Sequence, residues 1–83
     1  MERTRILEVV VDQVRQNVPD LADEDLDPEK PFEDYGASSL DVVEVVSGSL
    51  RELGLRVPRT EFANVRTIDG LVDRLVAASD SSA

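Results

Sequence analysis

Two adjacent serines, Ser38 and Ser39, stand in the stretch 34-DYGASSLDVVEVV-46, after a glycine and ahead of a mixed acidic and apolar run. A serine hydroxyl can cap a helix, act as a nucleophile or be esterified, and its surroundings decide which. The chain has no histidine and no cysteine. It therefore lacks the usual general base near neutral pH, the commonest metal ligand, and any thiolate or disulfide of its own. Acidic pairs such as Glu33 and Asp34 remain as acid–base candidates, but nothing in the sequence orients them in a pocket. No catalytic residue is assigned, and the chain is not expected to be an enzyme. Residues 23–34, DEDLDPEKPFED, begin like a calcium loop. That loop needs Gly at its sixth position and Glu at its twelfth, where this chain has Pro28 and Asp34, so no metal site is expected.

The elements that must position these serines belong to a small domain. The chain has 83 residues, of which 41% are hydrophobic and only 4% aromatic, so the core must be built from Val, Leu and Ile. A chain this short buries about 60–65% of its unfolded surface, which leaves little room for a deep cleft. The net charge of −9 disfavours nucleic acid and anionic membranes and favours basic protein partners. No apolar run approaches the ~20 residues of a membrane span, and the start, MERTRILEVV, is unlike a signal peptide. A cytoplasmic monomer is the expectation.

From Thr4 to Asn17, Ile6, Leu7, Val10, Val11, Val14 and Val18 recur at three- and four-residue spacing, which predicts an amphipathic helix ended by Pro19. Valine-rich VVVDQV would suit a strand, but the helical period runs too long for that. Residues 20–37 form a long loop pinned by Leu21, Leu26, Phe32 and Tyr35. A second helix is predicted over Ser38–Leu53, closed by Gly54 in a left-handed conformation with Leu55 behind it. Arg59–Val65 forms a short turn of helix. Thr67 caps a last helix carrying Ile68, Leu71, Val72, Leu75 and Val76. The fold class is all-α, a small antiparallel bundle of three main helices plus one short helix, with the domain over residues 1–78 and a flexible tail over 79–83.

Within S-S-L-D, Ser38 and Asp41 fit the two reciprocal positions of a capping box. Ser39 is then the first helical residue, with no capping duty, beside free backbone N–H groups and the positive end of the helix dipole. A phosphate esterified there would be stabilised without any basic side chain. The plainer reading makes both serines only loop and cap.

The stretch D-Y-G-A-S-S-L-D-V-V-E resembles the signature of acyl carrier proteins, D-L-G-A-D-S-L-D-x-V-E. Phe32-Glu33-Asp34 before it, Val57-Pro58 after it and Thr67-Ile68 at the last helix extend the resemblance over residues 3–78 without a gap. It implies a 4′-phosphopantetheine on Ser39, not Ser38, installed from coenzyme A by a phosphopantetheinyl transferase. It further implies acyl groups held as thioesters and delivered to an acyltransferase, a ketosynthase or an HMG-synthase-like enzyme. One departure is Ser38, where the family usually has Asp. The helix cap survives, but one negative charge beside the modified serine is lost.

The segment V-V-E-V-V-S-x-S-L-R-E-L-G-L-x-V-P-R-T-E-F-A is similar to freestanding carriers of polyketide assembly, and in particular to donor carriers of β-branching cassettes. Those present acetyl or a related short acyl group to an HMG-synthase-like enzyme. Gly36-Ala37-Ser38-Ser39 differs from the G-G-x-S of peptidyl carriers. A housekeeping fatty-acid carrier and an unmodified acidic helical adaptor stand as the alternatives.

Helix Ser38–Leu53 is the expected recognition helix. Val42, Val45, Val46 and Leu53 can face the core. Leu40, Val43 and Leu50, interleaved with Asp41, Glu44 and Ser47, are expected on a second face that contacts partners. A helix sandwiched between two others would also carry two apolar stripes. Arg51, Arg56, Arg59 and Arg66 stand where many fatty-acid carriers are acidic or neutral; they either narrow the partner range or are solvated charges. Gly48, costly inside a helix by about 1 kcal/mol against Ala, suggests close approach of another helix.

Overall fold

The computed structural model describes residues 2–81. Three helices, α1 (Arg3–Asn17), α2 (Ser39–Leu53) and α3 (Ile68–Ser81), alternate with short 3-10 turns at Pro19–Leu21, Phe32–Tyr35 and Arg59–Phe62. Helix α1 packs against both α2 and α3. The bundle matches the sequence expectation, with the short fourth helix reduced to the Arg59–Phe62 turn. The sequence placed the end of the ordered domain at residue 78. Helix α3 continues through Ser81, and residues 82–83 of the expected tail lie outside the described residues.

The buried stripe of α1 is Ile6, Val9, Val10 and Val14. These join Val45, Val46 and Leu50 of α2, and Ile68, Leu71, Val72 and Leu75 of α3, in one core. Each such aliphatic side chain contributes about 1.5–3 kcal/mol when fully buried. Among the described residues two aromatic side chains are buried, Phe32 and Phe62, one from each 3-10 turn flanking α2.

The long connection from α1 to α2 is tied down at several points, because buried apolar anchors need their backbone satisfied nearby. Leu21 is buried, and Leu26 and Tyr35 pack against the core. The Tyr35 hydroxyl donates to the Asp27 carbonyl at 3.0 Å. The Phe32 N–H donates to the Arg66 carbonyl at 2.8 Å, and the Asp69 N–H to the Pro28 carbonyl at 2.9 Å, which fastens the loop to the entry of α3. That entry is capped as expected, by Thr67 Oγ1 accepting from the Gly70 N–H at 2.9 Å. Arg3 at the start of α1 pairs with Asp69 at 3.3 Å and also with Asp73. The hydrogen bond to Asp73 is the main reason the Arg3 guanidinium is held above its ordinary pKa.

Gly48 is buried, and a Cβ built there would lie 1.9 Å from Oε1 of Gln13 on α1. The close approach expected from the sequence is therefore made by the end of one α1 side chain. Next to it, Ser49 is fully buried and its Oγ has no hydrogen-bond partner.

Candidate functional site

The approach to α2 is set by Gly36. It stands in the left-handed region at φ 76°, with nothing within 4 Å of where a Cβ would be, so the backbone conformation and not crowding requires glycine. Its N–H closes the Phe32–Tyr35 turn onto the Glu33 carbonyl at 3.0 Å. The chain then extends through Ala37 to Ser38, which has φ −79° and ψ 170°, the extended geometry of an N-cap.

The two serines divide their duties. Ser38 Oγ accepts from the Asp41 N–H at 3.1 Å, and Asp41 Oδ2 accepts from the Ser38 N–H at 2.9 Å, a complete capping box. Ser39 is the first residue of α2, is exposed, and its hydroxyl is engaged by no neighbour. The N–H groups of Ser39 and Leu40 also have no partner, so two donors stand free beside that hydroxyl at the positive end of the helix. An anion on Ser39 would meet donors already aimed at it. Among the described residues no cluster of three or more acidic, His or Cys side chains could hold a metal ion.

An open groove of about 560 Å³ begins at Ser39 and runs between α2 and the Arg59–Phe62 turn. Val42, Val46, Phe62 and Val65 make its floor and walls apolar, and Arg59 stands at its edge. Its volume falls within the ~300–1,000 Å³ of small-molecule sites. A second depression, about 470 Å³, is lined by charged and apolar residues of α1 together with Glu52 and shares no residue with the groove.

Of the six residues expected on the partner face, Val43 lines that groove, and Leu40, Asp41, Glu44 and Ser47 lie on the same helix outside its lining. Leu40 is 67% exposed and Val43 41% exposed, the large apolar side chains most open to solvent among the described residues. Glu44 is exposed, while Asp41 and Ser47 are half-buried. Asp41 serves the cap, and Ser47 Oγ accepts from Nη1 of Arg59 at 3.3 Å.

Leu50 departs from the expectation. It is buried with the core and is not part of the exposed face. The reason is the way α2 ends. Gly54 is left-handed at φ 68°, the Gly54 N–H reaches the Arg51 carbonyl at 3.2 Å, and the Leu55 N–H reaches the Leu50 carbonyl at 2.9 Å. This wrap brings Leu55 back against the core that Leu50 belongs to. The buried side of α2 thus covers Val45, Val46, Gly48, Ser49 and Leu50, a wider arc than the stripe of valines suggested. The Arg59–Ser47 contact is absent from the sequence reading. Its partners are 12 residues apart on different elements, and no local pattern signals it.

Several known proteins are similar to this chain. Residues 5–75 match the family described as the phosphopantetheine attachment site. The polyketide biosynthesis acyl-carrier-protein AcpK of Bacillus subtilis (strain 168) is 32% identical over 75 residues, which covers 90% of this chain and 92% of that protein. The anthracycline acyl carrier protein DpsG of Streptomyces peucetius is 42% identical over 66 residues, 75% of each chain. A chain in the crystal structure of the curacin biosynthetic pathway HMG synthase in complex with acetyl donor-ACP superposes with a TM-score of 0.86. It shares 27% identity, over 93% of this chain and 99% of that one.

The chain therefore belongs to the phosphopantetheine-attachment family. It is an acyl carrier protein, a bearer of covalent 4′-phosphopantetheine and not a catalyst, and its likeness is to carriers of the polyketide type. No described helix is long and apolar enough to cross a membrane.

Proposed function

We propose that Ser39 is the attachment point, and that this carrier presents a short acyl thioester in polyketide assembly to an HMG-synthase-like enzyme. The observation that carries the reading is the division between the serines: Ser38 is committed to the capping box, whereas the Ser39 hydroxyl is exposed and free. The kinds of relative support the pathway, and the likeness to the carrier in the HMG synthase complex supports the partner.

In the loading step Ser39 Oγ forms a bond to the phosphorus of coenzyme A that bears the pantetheine. The phosphoanhydride bond breaks and 3′,5′-ADP leaves. The hydroxyl proton passes to the phosphopantetheinyl transferase, because the carrier has no histidine to take it. The free N–H groups of Ser39 and Leu40 and the helix dipole then stabilise the phosphodiester, typically by about 0.3–1 kcal/mol at an exposed site. Once attached, the group supplies a thiol on which acyl chains are held as thioesters, electrophilic at the carbonyl and acidified at the adjacent carbon. The carrier's own part is to keep the cargo at high effective concentration and to dock. Leu40 and Val43 supply apolar contact, and Asp41 and Glu44 steer basic partners, including a ketosynthase or acyltransferase of the same assembly. The setting is cytoplasmic and the working form a monomer.

The test is intact mass after incubating apo protein with coenzyme A and a promiscuous transferase. Wild type and Ser38→Ala gain one phosphopantetheine and Ser39→Ala gains none. A gain in folded Ser39→Ala, or none in folded wild type with several transferases, refutes the assignment. Loading and turnover with long-chain fatty acyl groups in preference to short ones would return the chain to fatty-acid synthesis.

A further inference from the structure

Leu40, Glu44, Ser47 and Arg51 follow one another at the i, i+4, i+7, i+11 spacing of a single helix face, with Val43 beside them. Charge changes sign along that face. Near Ser39 it is negative, with Glu44 exposed, Asp41 half-buried, and the exposed Glu33 on the rim of the depression that holds Ser38 and Ser39. Two turns further on, about 10 Å along the axis from Glu44, it is positive. There Arg51 is exposed, and Arg59 reaches across from the neighbouring turn to Ser47.

Among the described residues, Arg51 and Arg59 share the lack of a carboxylate partner with Arg5, Arg56 and Arg66, and are set apart by their place on this face, Arg51 by helical spacing and Arg59 by its bond to Ser47. Arg3 pairs with Asp69 and Asp73, while Arg15 and Arg74 are bonded to the carbonyls of Glu24 and Glu61. Neither Arg51 nor Arg59 has a carboxylate partner among the described residues, although the chain has 18 acidic residues and a net charge of −9. A cation in the last turn of α2 suits the helix dipole, which accounts for Arg51. It does not account for Arg59, which lies outside the helix and is held over the same face.

We infer that α2 and Arg59 form a bipolar docking face, read by an enzyme surface of opposite order. That surface is basic at the mouth that receives the arm and acidic about 10–15 Å further along α2, the span of two to three helical turns. The inference rests on the carrier reading above and adds the acidic patch to its partner. Such an order selects against carriers that are acidic along the whole helix, because like charges placed opposite each other are penalised.

The test is binding of the phosphopantetheinylated protein to the curacin HMG synthase, in low and moderate salt. The variants are Arg51→Glu/Arg59→Glu, Arg51→Gln/Arg59→Gln, and Arg5→Glu on α1 as a charge control. The double Glu variant is expected to weaken binding about tenfold or more, the double Gln variant about threefold, and Arg5→Glu less than about twofold. The Gln pair removes charge without adding repulsion, so it carries the test if the Glu pair unfolds. Unchanged binding by folded double variants overturns the bipolar face and leaves the carrier reading intact. No binding by the wild-type loaded protein overturns the HMG-synthase-like partner itself, and this inference with it. If the carrier alone sediments as a dimer that the arginine variants dissociate, the face belongs to a second copy and the enzyme-surface inference fails.

Discussion

Replacing Ser38 by alanine should destabilise the fold while leaving the modification intact, and replacing Ser39 should do the reverse. The capping box holds two hydrogen bonds, Asp41 N–H to Ser38 Oγ at 3.1 Å and Ser38 N–H to Asp41 Oδ2 at 2.9 Å. Ser38→Ala deletes the first outright and loosens the second by freeing the backbone it pinned. Both residues sit where water can replace a lost partner, so the cost is that of a cap and not of a buried orphan, about 1 kcal/mol within a range of ~0.5–2. For a domain of this size 1 kcal/mol corresponds to a fall in Tm of about 4–8 °C. Ser39→Ala removes no hydrogen bond and places a better helix former at an exposed position, so its Tm should equal or exceed the wild type by less than about 0.5 kcal/mol equivalent. The assay is thermal unfolding of the apo forms followed by far-ultraviolet circular dichroism. Adding Asp41→Ala alone and with Ser38→Ala closes a double-mutant cycle, in which a coupling of about 0.5 kcal/mol or more reports the reciprocal box. Wild-type stability in Ser38→Ala together with a loss of several degrees in Ser39→Ala would refute the division of labour.

Two further substitutions test the packing behind the site. Ser49→Ala should raise stability by about 1 kcal/mol, since it removes a fully buried hydroxyl without a partner and improves helix propensity; a drop in the denaturation midpoint would show that the hydroxyl is bonded after all. Leu50→Ala should cost about 2–4 kcal/mol in urea unfolding, whereas Leu40→Ala should cost less than about 0.5 and instead lower partner affinity. Similar stabilities for the two leucine variants would contradict the burial that separates them.

Much of the site is legible in the amino-acid sequence, because its signals are local. A serine three residues ahead of an aspartate and before apolar residues at helical spacing specifies a cap and a free first-turn residue, and both are present at Ser38 and Ser39. The left-handed turn at Gly36 is a finding of the structure. The Gly54 stop and the Thr67 cap are readable for the same reason: caps satisfy backbone groups within a few residues of themselves. Leu50 falls on the other side of the expectation because periodicity gives an angle around a helix but not how wide an arc the rest of the protein covers. The Leu55 wrap and the core decide that arc.

Residue type and spacing within a turn or two are enough to set the helical class, the caps that start α2 and α3, most of the valine and leucine core, and which of the two serines is taken up by the cap. Packing in three dimensions was needed to settle which of the second stripe's residues reach solvent, where Gly48 meets Gln13, and that Arg59 lies over Ser47. Those depend on how separate elements stack, and stacking is set by side-chain volumes and loop tethers summed over the whole bundle. The apolar groove beside Ser39 is of the same kind, since its walls come from α2 and from the turn that follows it and exist only once the two are packed together.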